Sequence, residues 1–567
     1  MHTTFFGALA VICSVCFSGC RSTEKRAPEE AGKIAVSWEL VSNFTEVESG
    51  FNARFSLLNQ SDFPLTDSNW ALFFNMSPRS ILPATTPQAA TVQHINGDWY
   101  KLTPNKGFSL NPGAAIDIPY TGLEAINKVT DAPAGLYFVF YGQDGHEETI
   151  VQVANYTIKP FTKREQLLRG KADLDPLPTP ELTYQRNRTA FLIPPEKRQQ
   201  LIPSPVSITT GGGTLAFTNS LPIHYGPGLA NEGRFLGQKL NQLTGTNFNV
   251  TSGTTGKGIS LQIAPVSISG TNSEAYKLRI DANGVSITGS DAAGVFYGVQ
   301  SLLALAPIES WLTPSATIAL PYAQVDDAPR FHFRGLHLDV SRNFQTKETI
   351  LRLLDLLAFY KVNQFLFYTT EDEGWRLEID GLPELTSVGA QREHTSGKET
   401  PVLHPAYGSG PKAYDKGKYG SGYYTKADFI EILRYAKQRH IRVIPELNFP
   451  GHARAAIKAM EARYNRLMKE GKEQEANEYR LIDPDDKSVY QSAQGYTDNV
   501  VSIGNESTYH FYEKVVDEIT KLYKEAGVSM EVMHAGGDEV PEGAWTKSPV
   551  AARLLKDNPS IKDPKNL

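Results

Sequence analysis

From residue 331 onward, strand-like and helix-like stretches alternate, and that alternation limits the fold more than any other feature of the chain. Residues 333–340, 363–370, 440–446 and 528–533 are short apolar runs of strand length. Between them, residues 346–360 carry leucines at helical spacing, and residues 426–438 open on Thr425 and Asp428, placed as in a capping box. A further helix is expected around Tyr512, Val515, Val516, Ile519 and Leu522. Strands separated by helices pair in parallel, because the return path crosses the sheet through the helix. The expected fold is therefore a (β/α)8 barrel.

Polar residues gather just after each of these strands: Arg342, then Glu371 and Asp372, then Asn448 and His452, then Asp538 and Glu539. In such a barrel the C-terminal strand ends form the catalytic rim. The last group lies in Met533-His534-Ala535-Gly536-Gly537-Asp538-Glu539. Side chains alternate along a strand, so two adjacent acids share one pocket only where the strand ends and the chain curls over. The paired glycines allow a close approach there.

Upstream, period-two alternation at Ile34, Val36, Trp38 and Leu40, repeated at Phe51, Ala53, Phe55 and Leu57, predicts a β-sandwich over residues 33–160. Trp38, Trp70 and Trp99 are either a sugar-stacking platform, which would make this a carbohydrate-binding module, or buried core. Residues 161–205 are charged and proline-rich, as a linker is. Residues 206–325 form a small α+β domain. It is expected to hold a helix around Leu236 and Leu240, a strand at 259–263, a hairpin turning at Asn283-Gly284 and a helix capped by Ser290. Gly211-Gly212-Gly213 reads as a turn, since no Gly-Lys-Ser/Thr follows to hold phosphate.

All three cysteines, Cys13, Cys16 and Cys20, lie in the first twenty residues, so the rest of the chain has no thiol chemistry. The apolar run 5–17 has the length of a signal-peptide core. It ends in Phe17-Ser18-Gly19-Cys20, which resembles a bacterial lipoprotein cleavage box with Cys20 lipidated; an ordinary cleaved leader is the other reading. Residues 1–20 are thus expected to be a leader and 21–32 a tether to a membrane. A net charge of -6 without dense basic runs gives no nucleic-acid surface. The twelve histidines lack metal-ligand spacing, and no cofactor motif is present.

Five stretches taken in order resemble glycoside hydrolase family 20, the β-N-acetylhexosaminidases of chitobiase type. They are residues 334–344, residues 373–379 (Glu-Gly-Trp-Arg-Leu-Glu-Ile), Gly381-Leu382-Pro383-Glu384-Leu385, residues 450–456 (Pro-Gly-His-Ala-Arg-Ala-Ala), and His534 through Glu539. The resemblance implies that Glu539 is the general acid/base and that Asp538 holds the substrate's acetamido group. It also implies that Arg342 binds sugar hydroxyls and that His452 relays between Glu539 and an acid after the second strand, Glu371 or Asp372. It further implies release of terminal β-linked N-acetylglucosamine or N-acetylgalactosamine, with the substrate's own acetamido oxygen as nucleophile.

The chain departs from that family pattern after the second strand, where Glu371-Asp372 replaces Asp-Asp, and after the third, where Glu446-Leu447-Asn448 replaces Glu-Ile-Asp. Leu366 and Tyr368 stand where the family has histidines. The competing reading is a surface glycan-binding lipoprotein with a degenerate barrel. The sequence stops at Leu567, soon after the fourth expected strand, so only the first half of the barrel is expected, inactive by itself.

Overall fold

The computed structural model describes residues 32–562 apart from 48, 85–87, 177–178, 191–192, 195–199, 254–256 and 397–401. The expected leader, most of the tether and Cys20 lie outside the described residues. Among the described residues, no helix is long and apolar enough to cross a membrane. The chain divides into two compact units, one made by residues up to 95 with 100–175, the other by 96–99 with 176 onward.

The first unit is a sandwich of two five-stranded sheets. One sheet runs Tyr156–Ile158, Ile34–Ser42, Gly50–Asn59, Ala115–Leu123, Ser80–Ile81; the other runs Glu147–Gln152, Ala134–Tyr141, Trp70–Asn75, Trp99–Pro104, Ala90–Asn96. Alternation does what it should in Ile34–Ser42, where Ile34, Val36, Trp38 and Leu40 are buried and their neighbours are not. The two sheets share one core, for example where the Phe55 and Phe74 rings lie 5.1 Å apart. Trp38, Trp70 and Trp99 are 0%, 1% and 3% exposed, so these three are core and form no exposed sugar platform.

In the second unit, residues 207–327 build a seven-stranded sheet. It carries the helices Ala230–Thr244 and Ala292–Ala304. Two local expectations are corrected. The cap of the second helix is Asp291, whose carboxylate accepts from the Gly294 N–H at 2.8 Å, whereas the Ser290 hydroxyl accepts from the N–H of Ala275, just before the strand Tyr276–Asp281. Gly211-Gly212-Gly213 is a bulge inside the strand Ser207–Phe217, where the pairing register shifts, and not a turn between elements.

The parallel sheet that follows has three strands, Gly335–Asp339, Gln364–Tyr368 and Arg442–Glu446, paired side by side in chain order. Helices Lys347–Phe359 and Lys426–Lys437 follow the first two strands, and Thr425 with Asp428 makes the capping box read from the sequence. Helix Glu506–Ala526 buries Phe511, Val515, Ile519 and Leu522. A sixteen-residue helix, Arg454–Lys469, was not anticipated.

The expected fourth strand at 528–533 is not formed. The chain there meets the third strand at one parallel bridge, Glu446 to His534, with the His534 N–H donating to Pro445 and the Leu447 N–H to His534. A central barrel strand is held by two neighbours, and this segment has one; Val532 is accordingly 44% exposed. A closed eight-stranded barrel is therefore not formed among the described residues. Polar contacts tie the preceding domain to the sheet: Lys361 to Tyr276 and Asp327 at 2.9 and 3.0 Å, and His440 to Glu232 at 2.8 Å.

Candidate functional site

The site is built at the C-terminal ends of these strands, beginning with the turn after Gly335–Asp339. Asp339 accepts the backbone N–H groups of Ser341 and Arg342, which turns the chain and sends Arg342 across the sheet. The Arg342 guanidinium meets Asp339 at 3.0 Å, Glu371 at 2.5 Å and Glu373 at 3.3 Å.

Two wholly buried arginines hold that turn from beneath. Arg376 uses all five guanidinium N–H donors on the carbonyls of Val340, Ser341, Ala390, Gly420 and Gly422, at 2.6–3.2 Å. Arg392 donates to the carbonyls of Ser341, Arg342, Glu373 and Ala406. Burial, reinforced by the charge of Arg392, pushes Arg376 down to about 9. Neither arginine had a role readable from its neighbours in the chain. The available signal was position, since Arg376 sits between Trp375 and Leu377 in an apolar stretch where a charge has to be satisfied.

Glu371 and Asp372 are the rim acids after the second strand, expected as partners of His452 and grouped with the residues that bind substrate. They are 1% and 0% exposed, and both face His452 rather than open space. His452 Nδ1 lies 3.0 Å from Glu371 and 3.5 Å from Asp372. Asp372 also accepts from the Asn499 side chain and the Arg454 N–H. Burial opposes a charge on His452, but the two carboxylates outweigh it and raise the imidazole to about 11, so it is an imidazolium. Glu371 is itself pushed up, to about 8, by burial and by the Asp372 charge, against the pull of His452 and Arg342. Glu373 moves the same way, first through burial. Burial, together with the crowding of carboxylates, is why Glu371 and Glu373 hold their protons more tightly.

The departures from the family pattern form one hydrogen-bonded chain. Asn448 donates to the Tyr368 hydroxyl at 3.0 Å and to the Thr370 carbonyl at 2.6 Å. The Tyr368 hydroxyl donates in turn to Glu371 at 2.8 Å. The longer acid at 371 therefore reaches both His452 and a phenol that stands where the pattern has an imidazole. Gly536 has a positive φ and lies so close to Asn448 that a side chain there would collide with the Asn448 amide.

Past that glycine the chain curls, with positive φ at Gly536, Gly537 and Glu539. Asp538 and Glu539 are both exposed at this lip. Glu539 Oε2 lies 3.5 Å from His452 Nε2 and accepts a hydrogen bond from the Gln494 side-chain amide. The imidazolium thus sits between buried acids and one exposed acid, across three loops. The His534 side chain is half exposed and pairs with Glu446 at 3.1 Å.

Glu446 is pushed up to about 7, first by burial and further by the charge of Asp538, while His534 opposes the shift. A folded-state value above the ordinary 4.5 means that this group's contribution to stability is complete below 4.5 and is lost as pH rises through 7. Glu446→Gln, a permanent mimic of the neutral acid, should melt like the wild type below pH 4.5 and progressively higher than it between pH 5 and 8. Parallel melting curves across that range, followed by circular dichroism, would contradict this assignment.

Glu371, Asp372 and His452 present ligand-type atoms within 4.8 Å of one another, a cluster that spacing in the sequence could not reveal. Each already faces a protein partner: Arg342 and Tyr368 on Glu371, Asn499 on Asp372, and the two acids on His452. A guanidinium 2.5 Å from Glu371 already supplies the positive charge that a metal would bring.

Comparison with known proteins agrees with the geometry. Residues 331–567 match the model of the glycosyl hydrolase family 20 catalytic domain, and residues 198–328 match domain 2 of the same family. A further model, for a carbohydrate binding domain, matches residues 38–181. The chain is 34% identical over 517 residues to a beta-hexosaminidase of Vibrio vulnificus, covering 89% of this chain and 58% of that protein. It is 32% identical over 545 residues to the N,N'-diacetylchitobiase of Vibrio harveyi, covering 92% of this chain and 59% of the relative. It thus spans about three-fifths of the length of these curated relatives. Among solved structures it resembles an exo beta-N-acetylglucosaminidase from Vibrio harveyi in complex with N-acetylglucosamine, with a TM-score of 0.73 and 27% identity over 94% of this chain and 72% of that one. With two domain models of one family covering consecutive stretches of it, the chain belongs to glycosyl hydrolase family 20.

Proposed function

We propose that the protein carrying this chain is an exo-acting β-N-acetylhexosaminidase of chitobiase type. It would remove terminal β-linked N-acetylglucosamine or N-acetylgalactosamine from chitooligosaccharides or glycans by a retaining, substrate-assisted mechanism. The observation that supports this reading best is the placing of His452 between the buried Glu371–Asp372 pair and the exposed Glu539. In this reading Asp538 orients and polarises the acetamido group, whose oxygen attacks C1 as the glycosidic bond breaks. Glu539 gives its proton to the departing oxygen and then takes one from the water that opens the oxazolinium ring. His452 keeps a positive charge beside Glu539 and so steadies the carboxylate left after donation. Arg342, braced by Arg376 and Arg392, faces the sugar hydroxyls with its planar fork.

A surface glycan-binding role for a degenerate barrel gains no support from this site, because both lip acids are present and exposed. An exported leader with Cys20 lipidated remains part of the proposal. The stereochemistry tests the mechanism. Proton NMR of the full-length protein acting on a terminal β-linked N-acetylglucosaminide should show the β-anomer of the free sugar first. Initial release of the α-anomer would rule out a retaining path.

A further inference from the structure

Two groups meet Glu539 on the same oxygen. Its Oε2 faces His452 Nε2 at 3.5 Å and accepts from the Gln494 side-chain amide, while no protein hydrogen bond is made to Oε1 among the described residues. Gln494 comes from a different part of the chain, the loop that follows Arg454–Lys469, and it sits in a tight turn. There the Ser492 N–H donates to the Tyr496 carbonyl at 2.8 Å, the Gly495 N–H donates to the Ser492 carbonyl at 2.9 Å, and the Tyr496 N–H donates to the Ser492 hydroxyl at 3.1 Å. The turn is fastened to the site on both sides. Asn499 donates to Asp372, and Asp498 pairs with Arg454 and Lys458 at 2.9 and 2.8 Å. The other end of the Gln494 amide, Oε1, is buried without a partner, so only the N–H face of this side chain is engaged.

We propose that Gln494 is a positioning residue for Glu539: its amide fixes Oε2 against the His452 side, so that the proton transferred to the leaving oxygen is carried on Oε1. This rests on the reading of Glu539 as the general acid. An N–H donor stabilises a carboxylate more than a carboxylic acid, so the amide also helps set the pH at which Glu539 gives up its proton. The other charged groups around Glu539 are Asp538 on its own segment, and His452 across from it with Glu371 and Asp372 behind. None of these is altered when Gln494 is replaced.

The test is the pH dependence of kcat/KM for the full-length protein on a terminal β-linked N-acetylglucosaminide, which reports the free enzyme. A general acid must be protonated, so the wild-type profile falls on its alkaline side. Gln494→Leu removes the donor, and its alkaline limb should move up by roughly one pH unit. Gln494→Glu adds a like charge facing Oε2, and its limb should move up further. The melting temperature of Gln494→Leu should stay near that of the wild type, because the turn is closed by backbone and Ser492 contacts that the substitution leaves in place. Superimposable limbs in wild type and Gln494→Leu would overturn the proposal. So would a limb moved to lower pH, which would mean that the amide meets Glu539 with its oxygen. If instead the wild type shows no alkaline limb that Glu539→Gln abolishes, the assignment of Glu539 itself fails and takes this proposal with it.

Discussion

A substrate in which a hydroxyl replaces the 2-acetamido group should be nearly inert, with kcat/KM lower by at least ~10⁴-fold than for the parent β-N-acetylglucosaminide. The argument is geometric. A retaining hydrolase needs a nucleophile on the face of the sugar opposite the leaving group, about 5–5.5 Å from the acid when both are carboxylates. Here the acids nearest Glu539 are its sequence neighbour Asp538 and the group Glu371, Asp372 and Glu373. The latter three are 0–2% exposed, and Glu371 and Asp372 are already engaged with Arg342, Tyr368, His452 and Asn499. None of the three can reach an anomeric carbon. With Asp538 taken up by the acetamido group in the proposed mechanism, the nucleophile comes from the substrate, and a well-placed internal group is worth effective molarities of about 10⁵–10⁸ M, which are lost when it is removed. Matched nitrophenyl β-glycosides differing only at C2, assayed with the full-length protein, provide the comparison. Similar rates on both would sink the substrate-assisted mechanism.

Glu539→Gln should cost about 10²–10⁴-fold in kcat/KM on chitobiose, while losing much less in cleavage of a nitrophenyl glycoside. Glutamine keeps the shape and can still meet the Gln494 and His452 side of the site, but it has no proton to give. A sugar alkoxide is a poor leaving group and depends on protonation; a nitrophenolate is stable enough to depart without it. Ring opening by water also uses Glu539, now as a base, so the nitrophenyl substrate should show a burst followed by a slow steady state. Equal losses on the two substrates, measured with burst and steady-state rates resolved by rapid mixing, would argue that Glu539 does not act as the acid.

The parts of the fold legible in the sequence were those set by local chemistry. Thr425 and Asp428 cap their helix as their spacing requires, and the alternation of Ile34, Val36, Trp38 and Leu40 buries the expected face. Asp538 and Glu539 could be placed at a lip because paired glycines precede them, and Gly536, Gly537 and Glu539 do adopt the positive φ of a curling chain. Long-range partnerships were not legible. Nothing near Gln494 in the sequence points to Glu539, which lies forty-five residues on. The service of Arg376 and Arg392 to the turn at Ser341 depends on which carbonyls the loops bring beneath the sheet. The strand expected at 528–533 failed for a related reason, since an apolar run becomes a strand only when neighbours pair with it. Asp291 caps the helix in place of Ser290, whose hydroxyl is taken by the N–H of Ala275, a residue distant in sequence.

The Asn448–Tyr368–Glu371 chain restricts how this site could drift. Aspartate at 448 would bring a carboxylate against the Thr370 carbonyl and withdraw the donor that the Tyr368 oxygen accepts. Histidine at 368 would have to replace a hydroxyl that donates to Glu371 while accepting from Asn448. A shorter acid at 371 would draw away from the phenol and from His452 together. Each of these changes leaves a buried polar group stranded, and only joint exchange restores a satisfied set. The three positions are therefore coupled: exchanging any one of them alone breaks a hydrogen bond that the other two depend on.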